Sequence, residues 1–146
     1  MSTLPAGFEI STDPGRIDID YVHTYLSADS YWAQGIPRDL VARSIAGSLA
    51  FGLYGPQGQA GFARVITDGA TFAWLADVFI DPAQQGKGLG KALVEAILAH
   101  PDLQGLRRFM LVTADAHGLY EQYGFTAIDR PERLMAIVHA DPYRAP

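Results

Sequence analysis

A glycine-rich turn between an apolar run and an amphipathic segment constrains this chain more than any other feature. Residues 71–80 are almost wholly apolar and rich in β-formers, which predicts a central strand buried on both faces. Residues 89–97 carry apolar side chains at helical spacing. Between the two runs stands the sequence Gln85-Gly86-Lys87-Gly88-Leu89-Gly90-Lys91. The sequence therefore predicts a strand, a glycine turn and a helix in direct succession.

This turn has the features of an anion-binding site. Its three alternate glycines let the backbone approach a ligand closely, and the helix start presents unpaired N–H groups at the positive end of its dipole. The G-x-x-x-x-G-K-S/T spacing is absent, and G-x-G-x-x-G fails because Lys91 stands three residues after Gly88. The pattern that remains, Q/R-x-x-G-x-G/A, favours a phosphate-bearing ligand over a ligand-free connection. Lys87 and Lys91 add positive charge there.

Composition limits the class of protein around this turn. A length of 146 residues predicts one domain, residues 1–146. A net charge of −5 argues against a nucleic-acid or anionic-membrane partner. The chain has no cysteine, which excludes thiolate catalysis, and its histidines lack metal-ligand spacing, so we expect no metal. No apolar run reaches about 20 residues and the start lacks a signal pattern, so we expect a cytoplasmic protein.

The remaining periodicities predict a mixed fold. The order β-α-α-β-β-β-α-β-α-β indicates an α/β (α+β) domain with a mostly antiparallel central sheet, flanking helices and one parallel crossover. The predicted strands are residues 8–11, 49–54, 59–67, 71–80, 109–113 and 134–138. The predicted helices are residues 17–26, 37–47, 89–97 and 116–123, and Pro101 follows the end of the third.

Two segments resemble the GNAT superfamily of acetyl-CoA-dependent N-acetyltransferases. Residues 78–93, VFIDPAQQGKGLGKAL, are similar to the acetyl-CoA-binding motif of that family. Residues 119–125, LYEQYGF, resemble its later motif, a helix that carries a tyrosine before a Gly-Phe turn. The predicted element order matches the family fold over nearly the whole chain. The chain departs from the pattern at Thr113, where many members carry an asparagine.

The resemblance implies that acetyl-CoA lies where the fourth and fifth strands splay apart. On the fourth strand, the backbone of Val78, Phe79 and Ile80 would contact the cofactor, with the Val78 N–H towards the thioester carbonyl. As side chains, Val78 and Ile80 are expected to pack in the core. The turn would hold the pyrophosphate through Gln85, Gly86, Lys87, Gly88, Leu89, Gly90 and Lys91.

Two residues are candidates for the chemistry. By resemblance, Tyr120 protonates the departing thiolate; its place on an apolar helix stripe also fits a core tyrosine. Asp77 is the only charge in residues 71–80, and a buried carboxylate is costly unless it is paired or functional. Asp77 is therefore either the base or amine contact, or a structural carboxylate bonded to a backbone amide or to an arginine such as Arg64. Whether His117 contributes stays open.

The acceptor site and the function complete these expectations. Aromatic residues Tyr25, Tyr31 and Trp32 stand where this family builds its acceptor pocket, and they suit a cationic amine. We expect acetyl transfer from acetyl-CoA to a primary amine of a small-molecule or peptide acceptor, by direct attack in a ternary complex. The alternatives are a non-catalytic acyl-CoA sensor and a transferase for a longer acyl group. The last strand and the chain end could meet a second subunit in a homodimer.

Overall fold

A computed structural model describes residues 4–143, which form one five-stranded sheet. The strands lie side by side in chain order, and every pairing is antiparallel except that of the last two. The predicted mixed, mostly antiparallel fold with one parallel crossover is confirmed. The strands are β1 (Glu9–Ser11), β2 (Leu49–Gly55), β3 (Gly58–Thr67), β4 (Phe72–Ile80) and β5 (Arg108–Met110).

Helices cover both faces of the sheet. On one face lie α1 (Ile19–Thr24), which continues into a π-helical turn (Tyr25–Asp29), and α2 (Arg38–Ala46). On the other lie α3 (Leu89–Ala99) and the short α4 (His117–Glu121). The Asp18 side chain accepts a hydrogen bond from the Tyr21 N–H and caps α1, while Gly47 follows the end of α2. No helix in the described chain is long and apolar enough to cross a bilayer.

Two hydrophobic cores lie on opposite faces of the sheet. Phe62 and Phe79 pack with the residues of α1 and α2, whereas Val65 and Leu75 pack with those of α3. The prediction that the fourth strand is buried on both faces is wrong. In the first half of β4, only the face that points towards α3 is buried. On the opposite face Trp74 is only half-buried, since it borders a cleft.

The sheet ends earlier than the sequence predicts. Strand β5 stops at Met110, three residues before the predicted end. The predicted strand over residues 134–138 is wrong for the single chain, in which these residues pair with no described strand and are exposed. A strand needs a neighbour for its backbone N–H and C=O groups, and this segment lies apart from the sheet.

Candidate active site

A cleft opens where β4 and β5 separate. The two strands pair only from Phe72 to Trp74, opposite Arg108 to Met110, and β4 then continues to Ile80 paired with β3 only. The expected splayed strand pair is therefore present. The space between the strands is about 400 Å³. Its lining brings together most of the residues predicted for the chemistry and the acceptor: Tyr31, Trp32, Asp77, Val78 and Tyr120.

A β-bulge in β4 turns two of these residues towards the cleft. Ala76 pairs with Arg64 and Phe79 pairs with Phe62, so Asp77 and Val78 together face the single residue between them on β3. Asp77 has a left-handed backbone with φ of 54°. This conformation is uncommon for a residue with a side chain and costs about 1–3 kcal/mol where it occurs. The bulge thus takes residues 77 and 78 out of the regular ladder at the point where the sheet divides.

Both oxygens of the Asp77 carboxylate have partners. The Arg64 Nε donates to one oxygen over 2.6 Å, and the Trp32 Nε1 donates to the other over 2.8 Å. Arg64 is held in turn by the Ser48 hydroxyl, which accepts from its NH1 at 3.1 Å. The Arg64 and Asp77 side chains are only 17% and 10% exposed, so water screens this ion pair weakly. The pairing with Arg64 that the sequence left open is present.

The two exposed aromatics tie the walls of the cleft together. The Tyr31 hydroxyl accepts a hydrogen bond from the Ala114 N–H at 3.1 Å, in the loop before α4. Its ring meets Trp32 edge-on, with centroids 4.9 Å apart. Because Trp32 also binds Asp77, this pair joins β4 to the loop that leads to Tyr120. Tyr25 does not reach the cleft: its ring stacks on Phe79 at 3.9 Å.

Tyr120 reaches the cleft from α4 and is 7% exposed. Burial, together with the neighbouring Tyr31 and Asp115, raises the pKa of its hydroxyl to about 12. Its ring packs in the α3 core, so it is both a core residue and a cleft residue. Thr113 shapes the helix start, where its hydroxyl accepts from the Ala116 N–H at 2.9 Å. His117 is exposed and is not among the residues that line the cleft.

The glycine turn leaves room for a ligand at the start of α3. Gly86 and Gly88 have φ of 85° and 76°, and a Cβ added at either would meet no atom within 4 Å. The first N–H groups of a helix have no acceptor within it, and no side chain caps α3, so these donors can face a ligand. Leu89 is buried and anchors the turn, while the Lys87 ammonium donates to Gln84 at 2.6 Å. The donors and open space fit the diphosphate of acetyl-CoA.

Sequence reasoning missed several residues of the cleft. Trp74 shares its strand face with Ala76, and alternation along β4 could have placed both residues there. Asp115 also lines the cleft, and its closeness to Thr113 was the available signal. Nothing in the sequence indicates that Tyr143 returns to this site. Among residues 4–143, no three His, Asp or Glu side chains are grouped to hold a metal ion.

Comparisons with known proteins agree with this geometry. The family model described as "Acetyltransferase (GNAT) domain" matches residues 40–127. A protein of Gibberella zeae named "Putative acetyltransferase FG08082" is 36% identical over 133 aligned residues, which cover 76% of this chain and 74% of that protein. The chain therefore belongs to the GNAT family of acetyltransferases, whose acetyl donor is acetyl-CoA.

Solved structures show the same fold. A crystal structure of a "putative acetyltransferase belonging to the gnat family" from Xanthomonas campestris pv. campestris is 50% identical, with a TM-score of 0.94 over 98% of this chain and 100% of that chain. A GNAT family acetyltransferase from Elizabethkingia anophelis, solved with acetyl-CoA bound, is 14% identical with a TM-score of 0.64 over 86% of this chain and 80% of that one. The second likeness concerns the fold alone.

Proposed function

We propose that this chain transfers the acetyl group of acetyl-CoA to a primary amine by direct attack in a ternary complex. The observation that carries the proposal is the meeting of Tyr120, Asp77 and the bulged Val78 in one cleft at the strand splay. The chain has no cysteine, so the commonest covalent acyl carrier is absent from its sequence. A direct reaction between the two substrates is the simpler route.

The glycine turn and β4 would hold the acetyl donor. The N–H groups at the start of α3 would bind its pyrophosphate, and Lys91 adds charge at the same helix end. The backbone of Val78, Phe79 and Ile80 would contact the pantetheine arm and the thioester. The Elizabethkingia anophelis structure, which shares the fold, was solved with acetyl-CoA bound, and this supports acetyl-CoA as the donor.

Three groups of the chain would act on the transfer itself. As the amine nitrogen bonds to the carbonyl carbon, charge develops on the carbonyl oxygen, and the fixed Val78 N–H would stabilise it. The carbon–sulfur bond then breaks, and the Tyr120 hydroxyl would donate its proton to the leaving sulfur. A hydroxyl with a pKa of about 12 is protonated at neutral pH, so it carries the proton that the leaving sulfur takes up. The ammonium form of the acceptor loses one proton to Asp77, directly or through water, before its nitrogen attacks. The second proton that the nitrogen loses as the amide forms returns through water to the Tyr120 oxygen.

Asp77 can take this part although both of its oxygens have partners. Each carboxylate oxygen accepts more than one hydrogen bond, and Trp32 and Arg64 each use a single acceptor position. The same carboxylate and the rings of Tyr31 and Trp32 would attract the ammonium form of an acceptor. This side of the cleft therefore fits a small-molecule or peptide amine as the acceptor.

A substrate screen tests the proposal. The protein is incubated with acetyl-CoA and panels of amines, polyamines, amino acids, aminoglycosides and peptides, and release of the coenzyme A thiol is followed with a thiol reagent. Mass spectrometry must then find the acetylated amine. Tight binding of acetyl-CoA with no turnover on any panel would favour a sensor. Faster turnover with succinyl-CoA would favour a longer acyl donor.

A further inference from the structure

The carboxyl-terminal segment leaves the body of the protein and exposes apolar side chains. Residues 126–142, here called the arm, are exposed throughout. Within the arm, Met135, Ile137 and Val138 are 96%, 90% and 80% exposed. Single exposed apolar residues are ordinary on protein surfaces, but a run of them marks an interaction surface. The arm therefore has the composition of a segment that is buried against another surface in the functional form of the protein.

The apolar part of the arm has the pattern of a strand covered on both faces. Residues 134–138 read Leu-Met-Ala-Ile-Val, so apolar side chains would project to either side of an extended chain. The backbone at Leu134 is extended, with φ of −86° and ψ of 133°. In the described part of the chain no strand pairs with these residues. The Leu134 N–H donates to the Pro131 carbonyl at 3.1 Å, and beyond it no ladder of the described sheet uses the backbone of residues 135–138, which can pair with another strand.

Strand β5 forms an edge of the sheet to which another strand could pair. Strand β5 is last in the strand order, and it pairs with β4 on one side only, as far as residues 4–143 show. Beyond its end, Val112 is 79% exposed. An unprotected sheet edge accepts an added strand through main-chain hydrogen bonds, and pockets along it select the side chains.

We propose that residues 134–138 of one protomer add to the β5 edge of a second copy of this chain, and that the exchange is reciprocal. Each protomer carries one arm and one open edge, so a two-fold pair covers both arms and both edges at once. No other partner is needed to satisfy these surfaces. The proposal is independent of the proposed acetyl transfer.

The path of the arm favours a second copy over pairing within one chain. Phe125, just before the arm, packs edge-on against Phe109 of β5 with ring centroids 5.6 Å apart. Tyr143, just after it, packs against the core of α1 and α2. Both ends are thus held on the protomer, yet the middle stays exposed and presents its apolar side chains outwards. Because Leu111 and Thr113 after β5 also line the cleft, the exchanged strand would lie beside the candidate active site.

Sedimentation velocity over a range of protein concentrations tests the pairing. We expect a dimer for the unaltered chain and a monomer for Ile137→Asp, because a carboxylate cannot be buried against the partner sheet without a partner charge. Ile137 is exposed in the protomer, so circular dichroism should show an unchanged fold. Gln57→Asp adds the same charge in the β2–β3 turn, at a distance from β5, and should stay dimeric. A monomeric unaltered chain, or a dimeric Ile137→Asp, would overturn the proposal.

Site-directed cross-linking identifies the surfaces. Since the chain has no cysteine, two differently tagged single-cysteine chains, Val112→Cys and Ile137→Cys, can be co-expressed and treated with a short bis-maleimide. We expect a covalent product that carries both tags. The control pair, Gln57→Cys with Ile137→Cys, should give none. A dimer in which the first pair does not cross-link would place the interface elsewhere and would refute the exchange.

Discussion

The hydroxyl of Tyr120 provides the sharpest test at the scale of single residues. Tyr120→Phe keeps the ring in the core and removes only the proton that would reach the leaving sulfur. We expect kcat to fall about 100-fold, as is typical for loss of a general acid, while the acetyl-CoA Kd stays within a few fold. Steady-state kinetics and titration calorimetry measure the two effects.

Tyr123→Phe is the matched control for this substitution. The Tyr123 hydroxyl contacts Glu95 at 3.3 Å and lies outside the cleft lining, so its removal should leave kcat near the unaltered value. If Tyr120→Phe also turned over at the full rate, Tyr120 would be a core residue alone.

Loss of the Asp77 charge is expected to lower kcat/KM more at neutral pH than at high pH. Asp77→Asn keeps the side-chain size but loses the acceptor for the amine proton, so kcat/KM should fall at neutral pH. The loss should shrink as the pH rises towards the amine pKa of about 10.4, because more acceptor is already neutral. A pH–rate profile measures this convergence, with Asp129→Asn, at an exposed position outside the cleft lining, as the control. A deficit equal at every pH would mean that Asp77 only positions Trp32 and Arg64.

At the scale of elements, the effect of the glycine turn on cofactor binding can be separated from the effect of backbone strain. Gly88→Val places a side chain at a φ of 76° and directs it into the space where the pyrophosphate would lie. We expect the acetyl-CoA Kd to rise about tenfold or more, equivalent to about 1.4 kcal/mol. Gly105→Val imposes a similar strain at a φ of 69° in a loop away from this turn. Calorimetry should show that Gly105→Val is destabilised but binds normally; equal affinities for the two variants would refute the assignment.

The turn between β3 and β4 depends on an ionised carboxylate. Hydrogen bonds from Thr71, followed by those from Ala70 and Phe72, hold the pKa of Asp68 well below its usual range. A lowered pKa contributes stability that is complete above the unfolded value of about 3.9 and is lost as the pH falls towards the folded value. Asp68→Ala should therefore lower Tm by a few degrees at neutral pH, and the difference from the unaltered chain should narrow from about pH 4 to about pH 2.

Thermal melts across this pH range measure the difference. Asp129→Ala, which removes an exposed carboxylate from the arm, is the control and should change Tm little at any pH. A deficit in Asp68→Ala that did not narrow with acid would mean that the turn is stabilised by something other than the Asp68 charge.

Elements defined by neighbours in sequence could be predicted, and contacts between distant elements could not. The glycine turn and α3 follow from adjacent residues, and their predicted positions are confirmed. The hydrogen bond from Trp32 to Asp77 spans 45 residues, and that from Ala114 to Tyr31 spans 83. Neither leaves a periodic signal in the sequence. The apolar run of β4 gave no sign of the bulge or of the cleft. Residues such as Ala76 and Trp74 are found in the lining of a cleft as readily as in a core, so their apolar character does not tell the two apart.

At the scale of the whole molecule, the donor should stabilise the native state. The cleft and the glycine turn are assembled only in the folded chain, so acetyl-CoA binds that state selectively. At a free concentration about 100 times its Kd, the ligand adds about 2.7 kcal/mol, which is several degrees in Tm. Adenosine lacks the pyrophosphate and should shift Tm far less. Differential scanning fluorimetry compares the two; equal shifts would mean that the phosphate site is misplaced.

The bulge in β4 also determines where this chain can gain or lose a residue. Ahead of the bulge, Leu75 faces α3; after it, Phe79 faces α1 and α2, although both positions are odd-numbered. The alternation of side chains between the two faces of the sheet therefore shifts by one residue at residues 77 and 78. Deleting one of these two residues would remove the bulge: the remaining residue would pair with Ala63, while Phe79 would stay opposite Phe62 and keep facing α1 and α2. A deletion between Phe72 and Ala76 would instead turn over the part of β4 on one side of it. The sheet could therefore lose a residue at the bulge and remain regular, but Asp77 and Val78 could not both keep their places beside the cleft, so the extra residue serves the site and not the sheet.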